Sequence, residues 1–320
     1  MICPVLTVTL NPALDQTIIL DHLQVGEVNR ARQAMIHAGG KGVNVASCLA
    51  DWDHEGVAVT GILGADNEAA FKALFTGKAI ADGFVRAPGE TRTNIKLSHD
   101  GDTTDINLPG LDISPATTDA LVEAVRHLTR VGGLVLLAGS LPAGLTPDIY
   151  PLLAAQIADA GVRVLVDSSG APLKAALNGK IMPYAIKPNR EELEDFVGHR
   201  LANDDALLGA ARGLNARGVA LVVVSLGADG ALFVTAQEAL RASVPPMRVT
   251  STVGAGDAMM AGVIAGLRES AGLERIARLG TAFAAGKLAH PGANLPPRQE
   301  VEALAGRVQI TNETTGGQGI

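Results

Sequence analysis

Chemistry is concentrated in Thr250-Ser251-Thr252-Val253-Gly254-Ala255-Gly256-Asp257, which runs into the apolar stretch AMMAGVIAGL. Small residues leading into a helix-like run let the backbone N–H groups of Gly254–Asp257 converge at a helix N-terminus. Unpaired donors and the helix dipole there make an anion site together. Glycine lets the backbone reach oxygens that a side chain would hold off. Asp257 follows the loop directly, within reach of a hydroxyl that attacks a bound phosphorus, so it is a candidate base or orienting group. The same residues also suit an ordinary glycine loop whose first-turn acid favours the dipole.

A second constellation is IKPNREELEDF. Lys187 closes a strand, Pro188 stops it, and Asn189 can cap a helix carrying Glu192 three residues on. An amide oxygen with a carboxylate suits Mg²⁺, which keeps several waters and is often held through them; plain helix capping accounts for the pair equally well. In VVVSLGADGALFV, Ser225 ends a strand and Leu226–Gly230 form a tight turn where open α/β sheets bind ligands. In HAGGKGVNVASCLA, Gly39–Gly42 lead straight into a helix, with Lys41 aimed at a second backbone-lined anion site. Neither glycine loop has the third glycine of the dinucleotide fingerprint, and no Gly-Lys pair is followed by Ser or Thr, which disfavours Rossmann dehydrogenases and Walker-type NTPases. Asp15, Arg30 and Arg92 are suited to sugar hydroxyls and to phosphate, although an arginine on a strand is most often only a solvated face.

The elements that must position these residues are legible in the apolar runs. Val5–Leu10, Val57–Ile62, Leu134–Ala138, Val162–Val166, Tyr184–Lys187 and Val219–Ser225 are short and hydrophobic with little alternation. Strands covered on both faces look like this, and the helically periodic segments between them predict a mostly parallel α/β sheet. Ser114-Pro115 and Thr146-Pro147 each place a capping hydroxyl before a proline, predicting helix starts. Residues 13–33 and 90–107 break the rhythm with alternating segments and no helix. They predict a small projecting β-sheet, a lid, with a hairpin turn at His99-Asp100-Gly101-Asp102; two edge strands of the main sheet are the other reading. The α/β body then comprises 1–12, 34–89 and 108–309. Residues 310–320, polar and glycine-rich, are expected to be disordered.

The 320 residues carry a net charge of −7 and no basic block, so nucleic acid and anionic membrane are poor candidates as partners. Two cysteines supply no disulfide framework, the seven histidines form no metal-ligand pair, and no run approaches a membrane span. A cytoplasmic protein without a secretion signal is expected.

GGKGVNVA near the N-terminus and STVGAGDAMMAG near the C-terminus, together at this separation, resemble the PfkB branch of the ribokinase family, from about Leu6 to about Val308. The resemblance implies a ribokinase-like, doubly wound α/β core with a β-sheet lid, a homodimer formed through the lids, and ATP with Mg²⁺. It implies Asp257 as base, with Gly254, Ala255 and Gly256 as anion hole. Asn189 and Glu192 match the metal motif. Lys187, Asn189, Ser225, Gly227, Gly230 and Thr252 fall on the nucleotide side. Asp15, Gly39, Gly40, Lys41, Asn44, Arg92 and Ser140 match substrate-side positions, while Arg30 lies where the branch varies. Within the branch TVTLNPALDQT, AGSLPAG and DSSGAPL look like the phosphofructokinases. That implies phosphorylation of the 6-hydroxyl of fructose 1-phosphate, with tagatose 6-phosphate or fructose 6-phosphate as alternative acceptors, and a non-catalytic sugar-phosphate sensor as the alternative class.

Overall fold

The computed structural model describes residues 4–53, 55–245, 254–290 and 294–313. From the N-terminus come β1 (Val5–Thr9), β2 (Ala13–Ile19), β3 (Gln33–Gly39), α1 (Lys41–Asp53) and β4 (Val57–Gly64). Then follow α2 (Ala69–Gly77), β5 (Ala81–Asp82), β6 (Val85–Ala87), β7 (Thr93–His99) and β8 (Asp102–Asn107). The middle third holds α3 (Pro115–Leu128), β9 (Leu134–Ala138), α4 (Ile149–Gln156), β10 (Arg163–Asp167), α5 (Gly170–Asn178) and β11 (Ala185–Ile186). Next are α6 (Arg190–Val197), α7 (Asp204–Ala216), β12 (Leu221–Ser225), β13 (Ala231–Val234) and β14 (Ala239–Ser243). Last come α8 (Ala255–Arg268), α9 (Leu273–Ala289), α10 (Arg298–Arg307) and β15 (Gln309–Asn312).

The large sheet has the order β15-β14-β13-β12-β11-β10-β9-β1-β4-β5, with β6 also paired to β4. Pairing is parallel from β12 through β5 and antiparallel from β12 out to β15. Apolar runs without alternation have a direct cause here. On β9, Leu134, Leu136 and Ala138 join the core shared with α1, α8 and α9, while Val135 and Leu137 join the opposite core, under α3 to α7. Both faces are dry, so every position is apolar. From β1 the chain steps out to β4 on one side, and from β9 to β10 and beyond on the other. The reversal between β1 and β9 is a topological switch point, where a crevice opens outside the carboxyl ends of the strands.

The second sheet is four-stranded, in the order β3-β2-β7-β8. The hairpin is where it was expected: Asp100 (φ 52°) and Gly101 (φ 81°) turn β7 into β8, both in the left-handed region that a two-residue hairpin loop uses. Two boundaries differ from the sequence reading. Residues 34–39 belong to this sheet rather than to the body, because β3 is the antiparallel mate of the whole of β2, from Ala13↔Gly39 to Ile19↔Gln33. Residues 310–312, expected to be disordered, form part of the edge strand β15, with Ile310 opposite Ala242 and Asn312 opposite Leu240. An edge strand needs only free backbone groups, which a polar segment supplies as well as an apolar one. Arg241 then pairs with Glu313 at 2.6 Å to hold the end down. Of the two predicted helix starts, Ser114 does accept from the Thr117 N–H at 3.2 Å, whereas α4 begins two residues after Pro147, with Asp148 at its N-cap.

Candidate active site

Gly254 caps α8 with φ 78°, a conformation that glycine adopts without a Cβ penalty, and so aims the first turn of α8 into the crevice. The N–H groups of Ala255, Gly256 and Asp257 have no partner within the helix. A Cβ built on Gly256 would lie 3.3 Å from Lys187 Nζ, so that ammonium sits beside the first turn of α8. Asp257 Oδ2 accepts from Asn44 Nδ2 on α1 at 2.8 Å. Burial, then the nearby charge of Asp167, pushes the Asp257 carboxyl up to about 6, against the pull of Asn44, Lys41 and Lys187. Catalytic bases are held in this range.

Asp167 ends β10 and is 1% exposed. Its Oδ1 accepts from Lys41 Nζ at 2.8 Å, and its Oδ2 lies 3.4 Å from Lys187 Nζ. Burial alone would raise its pKa, but the charges of Lys187 and Lys41 outweigh that and hold it below the ordinary carboxylate value. Sequence reasoning missed this residue; an aspartate closing a buried strand at the carboxyl edge of a parallel sheet was the available signal.

On the opposite side of the crevice, the small sheet meets the body. Gly39 packs against Asp15, and a Cβ there would collide with the Asp15 carboxylate. Asp15 Oδ1 accepts from Asn94 Nδ2 at 3.0 Å, and burial raises the pKa of this carboxyl. Arg92 donates to the Asn11 carbonyl at 3.2 Å, while its buried Nε has no hydrogen-bond partner among the described residues. Burial also draws the Arg92 guanidinium below its ordinary value. Ser140 Oγ accepts from Asn11 Nδ2 at 3.3 Å. Gly40 (φ 114°) joins β3 to α1 and so places Lys41 and Asn44 between the two sides. Asn11 and Asn94 were not among the sequence candidates; each sits in a segment that reads as strand or turn. Arg30 is exposed in the connection between β2 and β3.

Beyond Lys187 a cleft of about 990 Å³ is lined by Asn189, Ser225, Leu226, Asp229 and Arg241, among others. Asn189 and Glu192 form a capping box: Glu192 N–H donates to Asn189 Oδ1 at 2.8 Å, and Asn189 N–H to Glu192 Oε2 at 2.9 Å. Gly227 and Gly230 shape the turn between β12 and β13 without lining the cleft. Thr252 lies outside the described residues.

The family profile described as "pfkB family carbohydrate kinase" matches residues 8–300. This chain belongs to that family. Among pfkB kinases it is 50% identical over 310 residues to a protein of Xanthomonas campestris pv. campestris named 1-phosphofructokinase, covering 95% of this chain and 97% of that one. A crystal structure of phosphofructokinase-2 from Escherichia coli in complex with fructose-6-phosphate superposes with a TM-score of 0.86 at 28% identity, over 95% and 98% of the two chains. Ribokinase from Thermotoga maritima shares the fold, with a TM-score of 0.77 at 22% identity over 94% and 99%. The α/β body with its separate small sheet is thus the ribokinase-like fold of a carbohydrate kinase, a phosphotransferase. No helix among the described residues is long and apolar enough to cross a membrane.

Proposed function

We propose that the protein transfers the γ-phosphoryl group of ATP to the 6-hydroxyl of fructose 1-phosphate, giving fructose 1,6-bisphosphate by direct in-line displacement. The observation that carries the reading is Asp257: a carboxylate raised to about 6, one residue past Gly256, with Lys187 against the same helix turn. The relative of 50% identity, named for phosphorylation of this substrate class, supports the choice of acceptor.

In this mechanism Asp257 takes the proton from the attacking hydroxyl. The N–H groups at Gly254, Ala255 and Gly256, with Lys187, receive the charge on the transferring group's oxygens. Asp15, Gly39, Gly40, Lys41, Asn44, Arg92 and Ser140 hold the sugar phosphate, with Arg92 and Lys41 taking its phosphate and so fixing the reactive hydroxyl. The orphaned Nε of Arg92 is a donor that an anion would satisfy. ATP lies along the cleft past Asn189 and Ser225, in the turn that Gly227 and Gly230 shape, with Thr252 on the same side. Asn189 lines the cleft and Glu192 is bonded to it through the capping box, and an amide oxygen beside a carboxylate suits a cation held through water. These two residues would hold Mg²⁺, whose charge would offset that of the nucleotide phosphates. The small sheet acts as a lid that excludes water, and its exposed Ile36 and Ile106 offer apolar surface for pairing with a second copy.

A coupled ADP-release assay against fructose 1-phosphate, fructose 6-phosphate and tagatose 6-phosphate tests the assignment; turnover greatest on either 6-phosphate would overturn the choice of acceptor. Two further outcomes are expected. Arg92→Ala should raise KM for the sugar phosphate about 10- to 100-fold, the worth of one charge-assisted contact, and leave KM for ATP nearly unchanged. Unaltered sugar kinetics would remove Arg92 from the site. The rate should also rise with pH through about 6 and level off above, because Asp257 works only when ionised. A pH-independent kcat/KM between 5 and 7 would contradict that role.

A further inference from the structure

The mechanism above leaves the buried carboxylate of Asp167 without a task. Asp167 is fully enclosed at the end of β10, yet both of its oxygens face lysines that come from different parts of the chain. Lys41, opening α1, donates to Oδ1 at 2.8 Å; Lys187, following β11, stands 3.4 Å from Oδ2. Oδ2 itself has no hydrogen-bond partner among the described residues. A buried carboxylate is retained at a cost of several kcal/mol in desolvation unless its partners are well placed, so its position calls for a reason.

We infer that Asp167 is a positioning residue, clamping Lys41 and Lys187 onto one carboxylate at the centre of the crevice and setting the field felt by Asp257. The inference rests on the proposed reading only for what the two lysines bind, the sugar-phosphate side for Lys41 and the nucleotide side for Lys187. Without the clamp, two ammonium groups would approach Asp257 unopposed and hold it ionised but weakly basic. With it, their charge is partly balanced. Asp167 also keeps Lys41 charged: burial draws this lysine down, but Asp167 more than reverses the shift and leaves its pKa raised. Among the described residues, the charged or titratable groups that act on Asp257 include Lys41 and Cys48 from α1, Asp167 from β10, Lys187 after β11 and Lys287 from α9. Asp167 is the anion in that set, and its charge is second only to burial in raising Asp257.

Carboxyl-carbon NMR titration of the full chain, with Asp257 assigned through Asp257→Asn, tests this without any substrate. In the wild-type protein Asp257 should titrate near 6 and Asp167 should titrate below the ordinary carboxylate range. In Asp167→Asn the Asp257 midpoint should fall by about one pH unit, and Asp167→Glu, which keeps the charge, should restore most of it. KM for ATP and for the sugar phosphate should rise together in Asp167→Asn, because both lysines lose one anchor. An unmoved Asp257 midpoint in a folded Asp167→Asn, or a rise in one KM alone, overturns the inference. If that variant does not fold, the wild-type titration decides: Asp167 taking up a proton near 6 in place of Asp257 overturns it. Wild-type protein with the expected titrations but no turnover on any sugar phosphate would sink the proposed acceptor and leave the clamp standing.

Discussion

Replacing Asp257 by asparagine is expected to lower kcat about 10²- to 10⁴-fold while ATP still binds, the range for loss of a positioned proton acceptor. The substitution keeps the shape and leaves a hydrogen-bonding atom for Asn44, which donates to Asp257 Oδ2 at 2.8 Å. The negative charge disappears, and with it the ability to take a proton. Steady-state kinetics with a nucleotide-binding control checks it, and near-normal turnover would rule out the base. Stability should move the other way. Asp257 is raised from 3.8 to about 6 in the fold, so its ionisation there is penalised relative to the unfolded chain. The penalty is absent below about pH 4, accumulates between 4 and 6, and is complete above. At pH 8 it amounts to at most about 3 kcal/mol, from 1.36 kcal/mol per pKa unit. Asp257→Asn should therefore melt at a higher temperature than wild type at pH 8, with the difference shrinking toward pH 4. Strain of this kind is characteristic of sites where activity is favoured over stability.

Lys187→Met is expected to cost about 10²- to 10³-fold in kcat, comparable to removing one preorganised donor from a site of developing charge. Lys187 is 6% exposed, and its ammonium lies where a Cβ on Gly256 would nearly touch it, at the first turn of α8. A charge fixed there needs no rearrangement as the phosphoryl group moves. Methionine matches the stem length, so packing is preserved, and Asp167 retains Lys41 at 2.8 Å. A loss confined to KM for ATP, with kcat intact, would show that Lys187 only binds the nucleotide.

Local chemistry was readable from the chain because it depends on neighbours in sequence. The Gly254–Asp257 turn, the Asn189–Glu192 pair and the Asp100-Gly101 hairpin each involve residues within a few positions, where backbone preferences and capping geometry decide the outcome. At Asn189 and Glu192 capping geometry is present as drawn, yet an amide oxygen beside a carboxylate also suits a cation, so local structure by itself does not separate the two readings. Errors fell where pairing overrides composition. Residues 34–39 alternate weakly and follow no turn signal, yet β2 needs a mate along its whole length. Residues 310–312 are too polar to look like a strand, yet β14 had an open edge.

A helix-covered parallel sheet carrying two glycine-lined helix starts is legible in the residues alone, because apolar run length and small-residue turns act over a few residues at a time. Which charges meet depends on the folded chain. Lys41 reaches Asp167 across 126 positions, and Asn44 reaches Asp257 across 213. Those pairings exist because the strand order brings the carboxyl ends of β1, β9 and β10 to one crevice beneath the small sheet, where burial makes each charge depend on the others.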